Sequence, residues 1–316
     1  MVTELHKNGK LLLTSEYAVL DGALALAIPT RFGQKFNIEQ QHTSEKLVWQ
    51  AYDHTNMLWF ETEMNMASGK IIATSNNDSA LALLKILDAA IKLNPDFIDD
   101  TLGVTVKSRL EFPRTWGLGS SSTLIAAIAQ WSKTDPYSLS GMSFGGSGYD
   151  VAAANMTQPF TYKIDQSTPQ VNPVTLDWPF RDDLYFVHRN KKQNSRESIK
   201  HYRNKEPSAQ WIQDLGALTK AIIAAQSAEE FADLMQQHER MIAETLGLKP
   251  IQEELFDDFP GAIKSLGGWG GDFILALNHE TDRGSKTNQT RNQTLEYFKE
   301  KGYHTVIPYH EMILAP

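Results

Sequence analysis

The sequence predicts a fold that mixes strands and helices, and three observations support this prediction. The first part of the chain alternates apolar and polar residues over short stretches, which is the pattern of half-buried strands. The later part contains long segments with apolar residues at helical spacing. Between them, an alternating segment runs into a loop rich in glycine and serine, and an alanine-rich helical segment follows. A strand, a loop and a helix therefore succeed one another in this region.

The same periodicity predicts the elements of the N-terminal part. Strands are expected at Gln34–Gln40, Lys46–Tyr52, Met57–Glu63 and Leu102–Phe112. Helices are expected at Ser79–Leu93, with Asp78 as N-cap and a stop at Asn94-Pro95, and at Ser120–Lys133. The serine- and glycine-rich stretch Tyr137–Gly148 is predicted to be a loop, and Tyr149–Met156 is either a helical turn or the lead into a strand.

The C-terminal part begins after Pro159–Pro179, a proline-punctuated stretch that is the best candidate for a seam between domains. Strands are then predicted at Asp183–Arg189, at Phe273–Leu277 after a second glycine cluster, and at His304–Pro308. Helices are predicted at Ser195–Arg203, Ser208–Ala225 and Ala228–Leu246.

Composition limits the classes of function. A chain of 316 residues allows one large domain or two of ordinary size, and 41% hydrophobic with 22% charged residues is typical of a soluble globular protein. The absence of cysteine excludes disulfides, thiolate metal sites and cysteine nucleophiles. A net charge of −8 argues against a nucleic-acid partner, and the lack of a long apolar run argues against a membrane partner. A cytoplasmic location is expected.

The stretch Pro113–Thr123 (PRTWGLGSSST) has the features that a bound phosphate requires. Glycines let the backbone approach closely, and the first turn of a helix supplies N–H donors and a favourable dipole. The stretch is neither a Walker A motif nor a dinucleotide fingerprint, because it lacks Gly-Lys-[Ser/Thr] and the third glycine of GxGxxG. Taken alone, it is compatible with a phosphate loop and with a plain turn capped by serine.

Three more segments narrow this choice: NGKLLLTSEYAVLDG from Asn8, GGSGYDVAAA at Gly145–Ala154, and KSLGGWGGD at Lys264–Asp272. Together with the loop they resemble the GHMP kinases, the superfamily of galactokinase, homoserine kinase, mevalonate kinase and phosphomevalonate kinase. The resemblance runs from Gly9 to about Leu277. It is nearest to the mevalonate and phosphomevalonate kinase branch, and nearer still to a bacterial subgroup named for the string GYDIA.

The resemblance implies an α+β fold with two domains, placed here at residues 1–180 and 181–316. The first would hold a mixed sheet with a left-handed β-α-β crossover and bind ATP, and the second would be ferredoxin-like. It implies a kinase of the mevalonate pathway of isoprenoid biosynthesis, with ATP and Mg²⁺ as cofactors, mevalonate or phosphomevalonate as substrate, and a monomeric or homodimeric state.

The resemblance also implies roles for individual residues. Asp150 matches the carboxylate that faces the reacting hydroxyl, Lys10 the nearby lysine, and Glu16 an acid that can pair with Lys10. Ser121 matches the Mg²⁺-binding serine, with Asp150 as a further metal ligand. The ATP-binding positions are Pro113, Gly117, Leu118, Gly119, Ser120, Ser121, Ser122, Gly268, Gly270 and Gly271, and the substrate-binding positions are Gly148, Lys192, Ser195, Arg196 and Gly267.

The chemistry of these residue types agrees with such roles. A carboxylate within hydrogen-bond reach can accept the proton of an attacking alcohol, and an ammonium stabilises the developing charge. Arg196 can hold a carboxylate or phosphate by two parallel bonds. Lys192, Ser195 and Arg196 are equally compatible with a solvated helix start.

The chain departs from the family pattern at several positions. Ser15 stands in place of the usual glycine before the acid, and Asn8 stands where many members have proline. Few residues separate the loop helix from Gly145, where mevalonate kinases carry a second helix with a Mg²⁺-binding glutamate. That glutamate has no clear replacement in this chain, and Asp135 is a weak candidate. Trp116 and Trp269 place indoles in both glycine segments.

Other functions remain open. Gly141–Gly145 fits the GxSxG motif of hydrolases around Ser143, although neither a strand before it nor a helix after it is predicted. A relative of diphosphomevalonate decarboxylase would release CO₂ and phosphate. A catalytically weak homologue would bind nucleotide without turnover.

Overall fold

The computed structural model describes residues 2–40, 45–191, 195–269, 271–278 and 288–314, with the backbone alone at 195, 196 and 288–291. The strands are β1 Val2–Leu12, β2 Ala25–Gln40, β3 Leu47–Tyr52, β4 Leu58–Asn65, β5 Lys70–Thr74, β6 Val104–Leu110, β7 Phe160–Asp165, β8 Thr168–Pro173, β9 Leu184–His188, β10 Ala262–Ser265, β11 Phe273–Leu277 and β12 Val306–Pro308. The helices are α1 Asn77–Leu93, α2 Phe97–Asp100, α3 Ser120–Ser132, α4 Pro136–Ser143, α5 Tyr149–Ala153, α6 Ser195–Arg203, α7 Ala209–Ala224, α8 Ala228–Leu246, α9 Ile251–Leu255, α10 Asn288–Glu300 and α11 Tyr309–Met312.

The chain divides into two compact units that are interleaved in sequence. Unit 1 contains Met1–Lys10, Phe32–Arg114 and Leu118–Met156. Unit 2 contains Leu11–Arg31, Thr115–Gly117 and Thr157–Pro316. Strands β1 and β2 each contribute residues to both units. The division into domains at residues 180 and 181 stays a prediction.

Unit 1 is a mixed sheet with helices packed on one face. Its strands follow the order β5-β4-β3-β6-β2, with β1 paired to β2, and β3 and β6 are parallel while the other recorded registers are antiparallel. Buried residues of α1 and α3 form one apolar core with the inward side chains of the sheet. The connection β5-α1-β6 is the predicted β-α-β crossover, because antiparallel steps through β4 make β5 and β6 parallel. Its left hand stays a prediction.

Unit 2 contains a second, antiparallel sheet. Its strand order is β10-β11-β9-β12, with helices between β9 and β10 and between β11 and β12. This is the βαββαβ arrangement of ferredoxin-like domains, so the prediction for the C-terminal part is confirmed. Unit 2 also holds the first residues of β2, which pair with β7.

Local sequence chemistry explains where the structure departs from the predicted elements. Asn76, and not Asp78, caps α1, because its Oδ1 accepts from the Ser79 N–H at 2.9 Å. The predicted loop at Tyr137–Gly148 begins as helix α4, since Asp135 accepts from the Ser138 N–H at 2.7 Å and Pro136 starts the helix.

The proline-punctuated stretch predicted as a seam contains the hairpin β7-β8 and lies wholly within unit 2. Gln166 and Ser167, both at positive φ, form its two-residue turn. Tyr149–Met156 resolves as the short helix α5 followed by turns. Within the described residues, every helix is too short or too polar to cross a bilayer.

Candidate active site

The glycine-serine loop connects β6 to α3, and its last residues, Leu118 and Gly119, belong to unit 1. Gly119 directly precedes α3 and has φ 89° and ψ 44°, a left-handed conformation that side chains disfavour. A Cβ at this position would lie 2.6 Å from Ser122 Oγ and 3.1 Å from Lys10 Cγ. Glycine is therefore required for both the conformation and the close approach of Lys10. The loop delivers the first-turn N–H groups of a 13-residue helix, the usual backbone arrangement for an anion.

The hydroxyl side chains at the start of α3 differ in burial and in their hydrogen-bond partners. Ser122 is buried and its Oγ donates to Gly119 O at 2.8 Å, so this hydroxyl shapes the loop. Thr123 is buried too, and its Oγ1 donates to Gln34 Oε1 at 2.6 Å, which ties the helix to β2. Ser121 is exposed in the first turn. Of these three hydroxyls, that of Ser121 is on the residue accessible from solvent.

Lys10 lies beside this loop at the end of the unit 1 segment of β1. Its backbone N–H donates to Leu118 O at 3.0 Å, which joins β1 to the loop. Its ammonium lies 5.8 Å from the centre of the Tyr149 ring, within range of a cation–π contact. The side chain is half-buried between the loop and α5.

Asp150 follows Tyr149 in the first turn of α5, after Gly148 at φ 83°. Its Oδ1 accepts from the Val151 N–H at 3.0 Å. Burial raises the pKa of Asp150, and the Lys10 charge and the backbone hydrogen bond oppose that rise. A carboxylate with a raised pKa is a better proton acceptor, and the ammonium that acts on it can stabilise an oxyanion. Lys10, Asp150 and the loop thus meet within unit 1.

A second set of contacts fixes α5 against β1. Asn8 donates its backbone N–H to Ala154 O at 3.1 Å and its Nδ2 to Met156 O at 2.8 Å. Many members of the family that the sequence resembles have proline at this position, and proline would supply neither the backbone N–H nor the side-chain N–H. The neighbouring Lys7 is buried and donates to Asn155 Oδ1 at 2.5 Å. Sequence reasoning missed Lys7, since its burial is not visible from residue type.

Glu16 belongs to a buried polar cluster in unit 2. Its carboxylate accepts from the Lys264 ammonium, which also donates to Ser265 O at 2.7 Å. Lys10 was the predicted partner of Glu16, and the structure gives that place to Lys264, the first residue of the second glycine segment. Burial raises the pKa of Glu16 to about 7, against the opposing charge and hydrogen bond of Lys264.

The rest of this cluster was not predicted. Glu239 accepts from Ser265 N at 3.0 Å, Ser265 Oγ at 2.9 Å and Ile251 N at 3.1 Å, so its carboxylate is well solvated by protein donors. His238 is fully buried, and its Nε2 accepts from the Ser15 N–H at 2.8 Å. Burial lowers the pKa of His238 well below its usual value, so the ring is neutral.

Ser15 has φ 61° and Tyr17 has φ 62°, so two non-glycine residues flank Glu16 in the left-handed region. The position of Ser15 therefore needs the positive φ that the usual glycine supplies. Hydrogen bonds offset the strain, since Ser15 Oγ donates to Leu24 O at 2.7 Å. The Tyr17 hydroxyl accepts from the Trp269 N–H at 2.8 Å and so holds the second glycine segment.

The second glycine segment also lies in unit 2, with Gly267 at φ 64°. Asp272 is buried at φ 52° and donates its N–H to Lys191 O at 2.8 Å. A Cβ at Gly117 would lie 2.3 Å from the Asp272 carboxyl carbon, so Gly117 is required by packing as well as by its φ of 66°. Trp116 packs edge-on against Phe273, with 5.6 Å between ring centres.

Several predicted positions receive less structural definition. Gly270 and Lys192 lie outside the described residues, and Ser195 and Arg196 are described only as the first backbone positions of α6. Gly268 and Gly271 belong to the described part of the second glycine segment, and Pro113 precedes Arg114. The Arg114 guanidinium lies 3.6 Å from the centre of the Trp59 ring.

Two alternatives weighed on sequence lose their support. Ser143 is buried near the end of α4 and donates its hydroxyl to Leu139 O at 2.7 Å, so it is no exposed nucleophile. Asp135 uses its carboxylate to cap α4, which leaves it a structural role instead of a metal-binding one. Across the described parts of the chain, no three His, Asp or Glu side chains converge to form a metal site.

No family model and no curated protein matches the chain. Solved structures do match it over nearly its whole length. The mevalonate kinase of Methanococcus jannaschii has a TM-score of 0.70 at 14% identity, covering 97% of each chain. The phosphomevalonate kinase of Streptococcus pneumoniae, in complex with phosphomevalonate and AMPPNP, has a TM-score of 0.70 at 15% identity, covering 95% of this chain and 97% of that one.

A galactokinase from Lactococcus lactis, complexed with galactose, has a TM-score of 0.69 at 12% identity and covers 99% of this chain and 93% of its own. These TM-scores and coverages establish a shared fold, and at identities of 12% to 15% they establish the fold alone. The chain therefore has the α+β fold of the GHMP kinases.

Proposed function

We propose that this protein is an ATP-dependent kinase that phosphorylates a small molecule of the mevalonate type, either the hydroxyl of mevalonate or the phosphate of phosphomevalonate. The observation that carries the proposal is the meeting, within unit 1, of Asp150, Lys10 and the Gly119 loop at the start of α3. Phosphoryl transfer needs a phosphate cradle, a proton acceptor and a cation at the acceptor oxygen, and these three features match that list.

In this proposal the γ-phosphate of ATP rests on the first turn of α3. The acceptor hydroxyl attacks the γ-phosphorus as the bond to the bridging oxygen of ADP breaks, and Asp150 takes the hydroxyl proton. Where phosphomevalonate is the acceptor, its phosphate is already an anion, so no proton needs to be removed and charge stabilisation by Lys10 is the larger contribution. The Lys10 ammonium lowers the energy of the negative oxygen in either case.

The donor set is compatible with Mg²⁺, which binds proteins through one or two oxygen ligands and keeps several waters and substrate phosphates. The exposed Ser121 hydroxyl and the Asp150 carboxylate would hold it. When bound, the ion supplies charge neutralisation for the phosphate oxygens. No cluster of three or more His, Asp or Glu side chains occurs in the part of the chain that the structure describes, so phosphates and water would complete the coordination of the ion.

The mevalonate-type acceptor is supported by the motif GGSGYD at Gly145–Asp150 and by the resemblance to that branch. The fold alone does not separate acceptors, since the phosphomevalonate kinase and the galactokinase match it about equally well. The roles given to Lys192, Ser195, Arg196, Gly148 and Gly267 in acceptor binding, and to Gly268, Gly270 and Gly271 in ATP binding, remain part of the proposal.

A panel assay tests the proposal. ADP release from ATP is measured with mevalonate, phosphomevalonate, homoserine and simple sugars as acceptors. The release of CO₂ is measured with diphosphomevalonate as substrate. Among these acceptors, turnover is expected only with mevalonate or phosphomevalonate. Turnover confined to a sugar or homoserine would refute the acceptor while leaving a kinase. CO₂ release would favour the decarboxylase, and ATP binding without turnover on any acceptor would favour a catalytically weak homologue.

A further inference from the structure

A cavity lies on the face of the unit 1 sheet opposite the packed helices, and its lining does not include the Gly119 loop, Lys10 or Asp150. Its volume is about 570 Å³, a size suited to a small molecule. Its lining includes Glu4, His6, Lys35, Tyr52, Lys107 and Arg109. His6 precedes Lys10 by four residues on β1, which corresponds to about 13 Å along an extended strand.

The lining is cationic although the chain as a whole has a net charge of −8. Three permanent cations, Lys35, Lys107 and Arg109, face one carboxylate in the lining, that of Glu4. Glu111 lies next to the cavity and accounts for only part of this charge, because it pairs with Lys35 at 2.8 Å and bonds to His6 at 2.9 Å.

The register of the sheet makes this clustering unfavourable for stability. Lys35 on β2 lies directly opposite Arg109 on β6, and Lys107 points to the same face two residues earlier. Like charges directly opposite each other on antiparallel strands repel and destabilise the pair. Arg109 has a neutral partner, donating to Asn56 Oδ1 at 3.3 Å. The Lys107 ammonium makes neither an ion pair nor a hydrogen bond with the residues that the structure describes, although its backbone lies in the sheet.

Neutral groups complete the cavity. Tyr52 lies opposite Arg109 on β3, and its hydroxyl donates to Gln50 Oε1 at 3.3 Å, which holds the ring on this face. Asn37 lies opposite Lys107 on β2. A ring face and side-chain amides beside three cations form a suitable environment for a phosphate-bearing molecule with a flat or apolar part.

We propose that this cavity is a second ligand site, which binds a phosphorylated small molecule through Lys107, Arg109 and Lys35. The site is separate from the catalytic centre proposed above and does not depend on its activity. A bound polyanion removes the repulsion between the opposed cations, so binding and fold stability are linked.

Inorganic tripolyphosphate is the probe, and its binding to the full chain is measured by calorimetry at constant salt. Because the probe can also occupy the loop at Gly119, the wild type is compared with K107A/R109A and with G119A. The matched control is K70A/K92A, which removes two exposed cations from the same unit and changes the net charge equally. The expected result is a binding event that weakens at least about tenfold in K107A/R109A, persists in G119A and changes less than about twofold in K70A/K92A.

Three results would overturn the proposal: no tripolyphosphate binding to the wild type, equal binding by wild type and K107A/R109A, or an equal loss in K70A/K92A. Thermal unfolding gives an independent readout. R109Q is expected to melt above the wild type without ligand, because the repulsion with Lys35 is gone, and to gain less from tripolyphosphate than the wild type does. A lower melting temperature for R109Q with an undiminished ligand response would contradict the proposed site.

Discussion

Replacing Glu16 with glutamine tests whether burial or the ion pair controls the polar cluster of unit 2. Burial raises the pKa of Glu16 from 4.5 to about 7, despite the adjacent Lys264. Between these values the folded state keeps a proton that the unfolded state has released. The native state therefore loses stability as pH rises through this window. A rise from 4.5 to about 7 corresponds to about 3 kcal/mol, at about 1.4 kcal/mol per pH unit.

Glu16→Gln removes this titration and keeps the size of the side chain. At about pH 5 the wild-type carboxyl is mostly protonated, so the two proteins should differ little in their free energy of unfolding. At about pH 8 the variant should have gained up to about 3 kcal/mol relative to the wild type, because it does not bury a second carboxylate around one ammonium. Urea unfolding at both pH values, followed by fluorescence and circular dichroism, measures the difference.

The control is Glu254→Gln, an exposed glutamate of α9, which should show the same difference at both pH values. The reasoning fails if wild type gains stability over Glu16→Gln as pH rises. That outcome would mean that attraction to Lys264 outweighs burial and that the pKa of Glu16 is lowered. A difference independent of pH would show that Glu16 does not titrate in this window.

Three further perturbations follow from the geometry. Ser15→Ala keeps a side chain at φ 61° and loses the bond to Leu24 O, whereas Ser15→Gly relieves the strain, so the alanine variant should be less stable than the glycine variant by about 1 kcal/mol in urea unfolding. Gly119→Ala should weaken nucleotide binding at least about tenfold in calorimetry, because its Cβ would meet Ser122 Oγ at 2.6 Å, and unchanged affinity would show that the loop tolerates a side chain. Burial lowers the pKa of Lys7, so wild type should gain stability relative to Lys7→Met as pH rises toward 10.5, and a loss instead would contradict that direction.

The local elements were largely predictable because periodicity depends on neighbouring residues. The alternation at Lys46–Tyr52 and the helical spacing at Ser79–Leu93 appear as β3 and α1. Where a capping residue decides the outcome, pattern alone misled: Asp135 converts a serine- and glycine-rich stretch into α4.

The candidate site was predictable where a motif carries the chemistry and not where partners come from distant segments. The resemblance carried by three motifs implied that Lys10 and Asp150 lie beside the loop at Gly119, and these residues meet there within unit 1. No local pattern contains contacts between distant segments of the chain. Lys264 pairs with Glu16, and His238 accepts from Ser15, across more than two hundred residues in each case. The role of Glu239 also depends on residues outside its own helix. The cavity on the sheet of unit 1 was not predicted, because its cations come from different strands and the sequence does not show how those strands pair.

The proton acceptor assigned to Asp150 is the central claim of this account. The most direct test compares Asp150→Asn with wild type in ADP release on the preferred hydroxyl acceptor, with ATP affinity measured in parallel. The expected result is a loss of turnover of about 10² to 10⁴-fold, with ATP affinity within about threefold of wild type. Turnover by Asp150→Asn within about threefold of wild type would contradict the assignment.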